Sequence, residues 1–120
     1  MKILIVDDSR AMRSIVIRCL RQAGFGDHSM VQAASGKEAL DQIRSSKPGL
    51  VLADWNMPEM NGIELLEALK AAGVSIPFGF ITTECSQAMR ERATGAGARF
   101  FITKPFTVET LQEHLTPLIH

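Results

Sequence analysis

Asp54 follows four apolar residues, Leu50, Val51, Leu52 and Ala53, and precedes a loop with Pro58 and Gly62, in the stretch LVLADWNMPEMNG. A carboxylate on the last step of a buried run is costly unless a partner meets it. The pattern recurs. Asp7 and Asp8 follow the apolar run 3–6, Thr82 ends the run 78–82, and Lys104 comes soon after the run 100–102 and just before Pro105. Brought together, three carboxylates, a hydroxyl and an ammonium have a definite chemistry. Close carboxylates repel one another unless a cation sits among them. Oxygen-only ligands beside an exposed loop suit Mg²⁺, and no His or Cys stands at these positions to favour zinc. With Lys104 as a second positive charge, the set suits an oxyanion landing beside a carboxylate, and phosphate is the leading candidate. Asp54 then reads as the nucleophile of an aspartyl phosphate. The metal and Lys104 would offset charge on the phosphoryl oxygens.

The elements that must position these groups follow from periodicity. Residues 3–6 read as a strand buried on both faces, as in a parallel sheet. Residues 9–23 carry Met12, Ile15, Val16, Cys19 and Leu20 at helical spacing, with Gly24 at the expected helix end. A weaker strand at 29–34 and a helix at 36–46 follow. Pro48 and Gly49 precede a third strand at 50–53. Helix three spans about 62–72, strand four 78–82, helix four 86–94 and strand five 100–102. The last helix spans 107–119, with Thr107 as its N-cap and Leu111, Leu115 and Leu118 as its apolar stripe. Five strands alternating with five helices predict an α/β, doubly wound parallel sheet with right-handed crossovers. In such a sheet the carboxyl ends of the strands share one edge, where ligands bind. Singly, each polar residue has a plainer reading: Asp8 or Ser9 as a helix cap, Asp54 as a loop cap, Thr82 as a strand-end hydroxyl, Lys104 as a turn residue. Their fall at the ends of strands one, three, four and five is what points to a site.

Composition narrows the classes. At 120 residues the chain fits one domain, 1–120. Apolar residues make up 46% and charged residues 22%, ordinary for a globular protein. Lys plus Arg equals Asp plus Glu, 13 each, so no positive field exists to hold nucleic acid or an anionic membrane. The apolar runs are too short to span a bilayer, and the N-terminus does not read as a signal peptide. Cys19 and Cys85 have no metal-ligand spacing and read as reduced thiols of a cytoplasmic protein.

The motifs VDDS at 6–9, DWNMPEMNG at 54–62, TTE at 82–84 and KPF at 104–106 resemble, in this order, the receiver domain of two-component response regulators. The resemblance covers the whole chain and is strongest to the CheY-like chemotaxis regulators. It implies the flavodoxin-like strand order 2-1-3-4-5, which the alternation alone does not determine. It implies Asp54 as phosphoacceptor, Asp8 and Asp54 as direct Mg²⁺ ligands with the Asn56 carbonyl, and Asp7 acting on the metal mostly through water. Lys104 would contact the phosphoryl group, with a cis bond to Pro105. Thr82 would move its hydroxyl onto the phosphate. Phe101 stands at the switch aromatic position, and because the chain has no Tyr its coupling lacks a phenolic hydroxyl. Asn56 and Glu84 would tune how fast water removes the phosphate.

The implied partners are a sensor histidine kinase or phosphotransfer protein, and a downstream protein target on the face of helix four, strand five and helix five. With no chain beyond the last helix, no DNA-binding effector is expected. Such a domain promotes its own phosphorylation and dephosphorylation but is a switch rather than a turnover enzyme. Two alternatives belong to other classes. One is a Mg²⁺-dependent phosphohydrolase using an aspartyl phosphate, for which Asn56 stands where a second acid belongs. The other is a phosphorylation-independent adaptor, against which the intact acid set argues. Flavin binding lacks a phosphate-cradling loop after strand one. Arg10, Arg13, Arg18 and Arg21 along helix one read either as a solvated face or as a dock for the phosphodonor. Met57, Met60 and Met89 read as partner surface or as packing. His28, His114 and His120 are assigned no role, and Trp55, the only Trp, is a natural reporter of the site.

Overall fold

A computed structural model describes residues 1–119. The chain runs β1 (Lys2–Val6), α1 (Arg10–Leu20), β2 (Ser29–Ala33), α2 (Gly36–Ser46), β3 (Leu50–Ala53), α3 (Gly62–Ala71), β4 (Phe78–Thr82), α4 (Gln87–Gly95), β5 (Phe100–Thr103) and α5 (Val108–Leu115). All strand pairs are parallel and the sheet order is β2-β1-β3-β4-β5. This is the doubly wound, flavodoxin-like fold that the sequence implied.

Continuous apolar strands make sense here because alternate side chains enter two separate cores. Leu4, Val6, Val51, Ala53, Phe78 and Phe80 pack with Ala39, Ile43, Ile63, Leu66, Leu69 and Ala93 from α2, α3 and α4. Ile3, Ile5, Leu50, Leu52, Ile81 and Ile102 pack with Val16, Ile17, Leu20, Leu111 and Leu115 from α1 and α5. Each helix begins on a side-chain cap: Ser9, Ser35, Ser86 and Thr107 accept from the third backbone N–H beyond them, and Asn61 with Glu64 forms a reciprocal capping box.

Two boundaries differ from expectation. Helix one keeps α winding only to Leu20, and a wider π-type turn, Arg21–Phe25, follows. Gly24 takes a helix-ending φ of 98° inside that turn. The wider path buries both Ala23 and Phe25 in the core under α1 and α5. Helix five ends at Leu115 rather than 119. Pro117 has no N–H to continue the ladder, and Leu118 and Ile119 turn back to bond the Leu115 carbonyl. No helix among the described residues is long and apolar enough to cross a membrane.

Register aligns the edge of interest. Val6 pairs with Ala53, so Asp7 and Asp54, one residue on, leave adjacent strands at the same height. Thr82 pairs with Thr103, and Lys104 follows directly. At the other end of these two strands the sheet tolerates little added bulk. Gly79 on β4 pairs with Phe100, and a Cβ there would run into the Phe100 ring. Gly79→Ala is expected to cost about 1–3 kcal/mol through overpacking, read as a lower urea midpoint with an unchanged slope.

Candidate functional site

Asp7 is buried, 4% exposed, at the first step beyond β1. Its backbone N–H still donates to the Ala33 carbonyl of β2. Both carboxylate oxygens are engaged: Oδ1 accepts from the Ser9 N–H at 2.9 Å, and Oδ2 accepts from Lys104 Nζ at 3.0 Å. The same ammonium donates to Asp54 Oδ2 at 3.2 Å. Lys104 is held from its own side as well, because its backbone N–H donates to the Thr82 carbonyl at 2.8 Å. Its bond to Pro105 is cis.

Asp8 is exposed at the mouth of the site. Ser9, not Asp8, caps α1, which leaves the Asp8 carboxylate free of that duty. One oxygen from each of Asp7, Asp8 and Asp54 lies within 4.8 Å of the others. Asn56, Met57, Pro58, Asn61 and Asp8 line an open cleft of about 370 Å³ beside them. Two buried polar atoms at this edge, Asp54 Oδ1 and Thr82 Oγ1, have no hydrogen-bond partner among the described residues. Buried polar groups are seldom left unpaired, and an orphan asks for a ligand. Three carboxylates against one lysine leave a negative excess, and all the donors are hard oxygens. The residues fit a small divalent cation such as Mg²⁺ together with an oxyanion.

The loop after Asp54 depends on Gly62. Its N–H donates to the Trp55 carbonyl at 2.8 Å. A Cβ there would strike the Asp54 carbonyl oxygen and stand 2.8 Å from the Phe80 ring. Glu59 takes a left-handed φ of 67° in the same loop. Trp55 is 8% exposed, with its ring 5.1 Å from Phe80 and 6.1 Å from Phe101.

Phe101 pairs with Phe80 and Thr103 pairs with Thr82, so Thr82 and Phe101 face the same side of the sheet. Phe101 is half-buried, and the Arg90 guanidinium of α4 lies over its ring, 5.0 Å from the centroid. Glu84 is exposed in the loop between β4 and α4. Met57 is buried, while Met60 and Met89 are half-buried against the same core, which favours the packing reading for all three.

Some residues stand apart from this edge. His28 Nδ1 lies 3.1 Å from the N-terminal amine, and His114 Nδ1 lies 2.9 Å from the Thr110 carbonyl. His120 lies outside the described residues. Cys19 and Cys85 are free thiols. Arg10, Arg18 and Arg21 are exposed, but Arg13 is half-buried and turned inward. Its Nη1 donates to the Asp7 carbonyl at 2.6 Å and its Nε to Gln32 Oε1 at 3.0 Å. Sequence reasoning grouped Arg13 with an exposed row and missed this contact, as it missed the close approach at Gly62. The glycine directly after a capping Asn was the signal available for the second. For Arg13 spacing offered none, because Gln32 lies on another strand.

Fold and site together define a flavodoxin-like α/β protein whose acid-lined carboxyl edge can hold a cation and an oxyanion. Comparison with known proteins gives the family. Residues 3–116 match the response regulator receiver domain, and the chain belongs to that family, a family of signalling switches. The chemotaxis protein CheY1 of Helicobacter pylori is 41% identical over 118 residues, spanning 96% of this chain and 94% of that protein. A CheY homologue of Campylobacter jejuni is 39% identical over 99% of this chain and 92% of its own length. Among solved structures, the Vibrio cholerae chemotaxis protein CheY4 superposes with a TM-score of 0.86 at 32% identity, covering 98% of each chain.

The crowding of acids generates a prediction. Asp8→Asn removes one negative charge from the cluster while breaking no hydrogen bond among the described residues. It is expected to raise stability in EDTA by roughly half a kcal/mol, and to lose most of the rise in melting temperature expected of the wild type on adding Mg²⁺. Thermal unfolding with and without Mg²⁺ checks both.

Proposed function

We propose that residues 1–120 form one receiver domain that takes a phosphoryl group from a phosphohistidine of a sensor kinase or phosphotransfer protein onto Asp54. The pathway is chemotaxis or a related signalling system of the cytoplasm. The observation that carries this reading is the unpartnered Oδ1 of Asp54. Lys104 occupies Oδ2, so Oδ1 is the oxygen with lone pairs to spare. It attacks phosphorus, the bond from phosphorus to the imidazole nitrogen breaks, and the electron pair leaves with the imidazole. The product is an acyl phosphate.

Asp8, Asp54 and the Asn56 carbonyl would hold Mg²⁺, with Asp7 acting through water. When bound, the ion supplies positive charge that offsets charge on the phosphoryl oxygens. The Lys104 ammonium has three N–H donors, of which Asp7 and Asp54 take two. The third serves a phosphoryl oxygen. Thr82 Oγ1, also unpartnered, donates to another and draws the end of β4 toward the site. Phe101, on the same face, shifts with it. Water later removes the phosphate, at a rate set by Asn56 and Glu84 beside its path.

The outcome is a population shift between two states, because the new phosphoryl group contacts Lys104 and Thr82 differently in each. The shift changes the affinity of the α4–β5–α5 face for a downstream protein, while the exposed Arg10 and Arg18 of α1, with Arg21 just beyond it, offer a dock for the phosphodonor. Neither nucleic acid nor membrane is a partner. The domain promotes its own phosphorylation and dephosphorylation and is not a turnover enzyme.

Trp55 reports the test. Its fluorescence is expected to respond to Mg²⁺ and then to acetyl phosphate in the wild type. Asp54→Ala should lose the acetyl phosphate response, and its retention would sink the assignment of Asp54. Steady hydrolysis of a small phosphoester would instead mark a phosphohydrolase. Lys104→Met should keep a Mg²⁺ response and slow phosphorylation by about 10²-fold, the usual effect of losing one donor to a developing oxyanion. Stopped-flow fluorescence measures that rate.

A further inference from the structure

The three acids are not held alike. Asp7 has a donor on each carboxylate oxygen, and Asp54 has Lys104 on one. The exposed Asp8 carboxylate has no hydrogen-bond partner among the described residues, and Ser9 has taken the capping role. The direction in which Asp8 points is therefore set by its backbone. The peptide entering Asp8 carries the Asp7 carbonyl, the first past β1. Arg13 Nη1 donates to that carbonyl at 2.6 Å, while Arg13 Nε donates to Gln32 Oε1 of β2 at 3.0 Å. Arg13 is itself fixed in the first turn of α1, where its N–H donates to the Ser9 carbonyl. One planar group thus ties together the end of β1, the neighbouring strand and the start of α1.

We infer that Arg13 is a positioning residue for metal binding: its fork fixes the Asp7–Asp8 peptide and so aims Asp8 at the cation. The inference rests on the metal reading proposed above. A lysine cannot replace the fork, because a single ammonium does not reproduce two donors in a fixed plane. The charge of Arg13 works against the fork. A cation beside the cluster repels an incoming divalent ion, so loss of charge alone would tighten Mg²⁺ binding. Loss of positioning would weaken it. The two effects have opposite signs, and the measurement tells them apart.

The test is Mg²⁺ titration of Trp55 fluorescence in the wild type, Arg13→Met, Arg13→Lys and Gln32→Ala, each with its urea midpoint in EDTA to confirm that it is folded. Arg13→Met and Arg13→Lys are both expected to weaken Mg²⁺ binding about ten-fold, the scale on which groups orienting metal ligands act. Gln32→Ala keeps the charge and loses one prong, and should show a smaller loss in the same direction. A purely structural role would lower the urea midpoints while leaving the dissociation constants alike, and that result overturns the inference. So does Arg13→Met binding Mg²⁺ as tightly as wild type or tighter. Should Arg13→Met not fold, Gln32→Ala decides, and unchanged binding there overturns the inference. A wild type indifferent to Mg²⁺ would bring down the metal reading and this inference with it, whereas normal wild-type binding with unaffected variants sinks the inference alone.

Discussion

Three carboxylates meet at the carboxyl edge of the sheet, and one lysine pairs with two of them, Asp7 and Asp54. Such an arrangement does not hold itself together, because like charges within a few ångströms repel more strongly as water is excluded. The surrounding fold keeps it in place. Asp7 is pinned by a backbone N–H, Lys104 by the β4–β5 ladder, and Asp54 by its N–H to the Val6 carbonyl. The same excess of negative charge is what suits the site to a divalent cation.

The strand order turns this local constraint into a usable site. β1 lies between β2 and β3, so the chain leaves it toward α1 on one face and leaves β3 toward α3 on the other. The loops diverge and open the cleft that Asp8 and Asn56 rim. Both cores stop at this edge. Phe80, Trp55 and Phe101 pack as an aromatic cluster in the core on the α2–α3–α4 side of the sheet.

Much of this was legible in the chain because apolar run lengths in a parallel sheet fix where each strand ends. Asp7 after Val6 and Asp54 after Ala53 could be placed on one edge of the sheet once both runs were taken as buried strands. Strand order could not be read from alternation and came from resemblance to a family. Helix ends were harder. Gly24 signalled a stop, but the burial of Phe25 carried the chain through a wider turn before β2. The apolar spacing of Leu118 extended the expected last helix to 119, whereas the missing N–H of Pro117 ends α5 at Leu115. Arg13 shows the remaining limit: helical periodicity sorts residues by face, but a long side chain reaches across faces to a strand that periodicity does not connect to it.

The ring of Phe101 has a partner of an unusual kind, a guanidinium on α4 rather than a hydrogen-bonding neighbour. Contact between a cation and an aromatic face is broad and nearly indifferent to spin about the ring axis. Losing it in a partly exposed setting costs only about 0.5–1 kcal/mol. Phe101 also carries no polar atom that would go begging in any position. The ring is therefore held without a single directed bond: the guanidinium covers it from α4, Trp55 and Phe80 pack it from the core side, and its seat between α4 and β5 is fixed by shape alone.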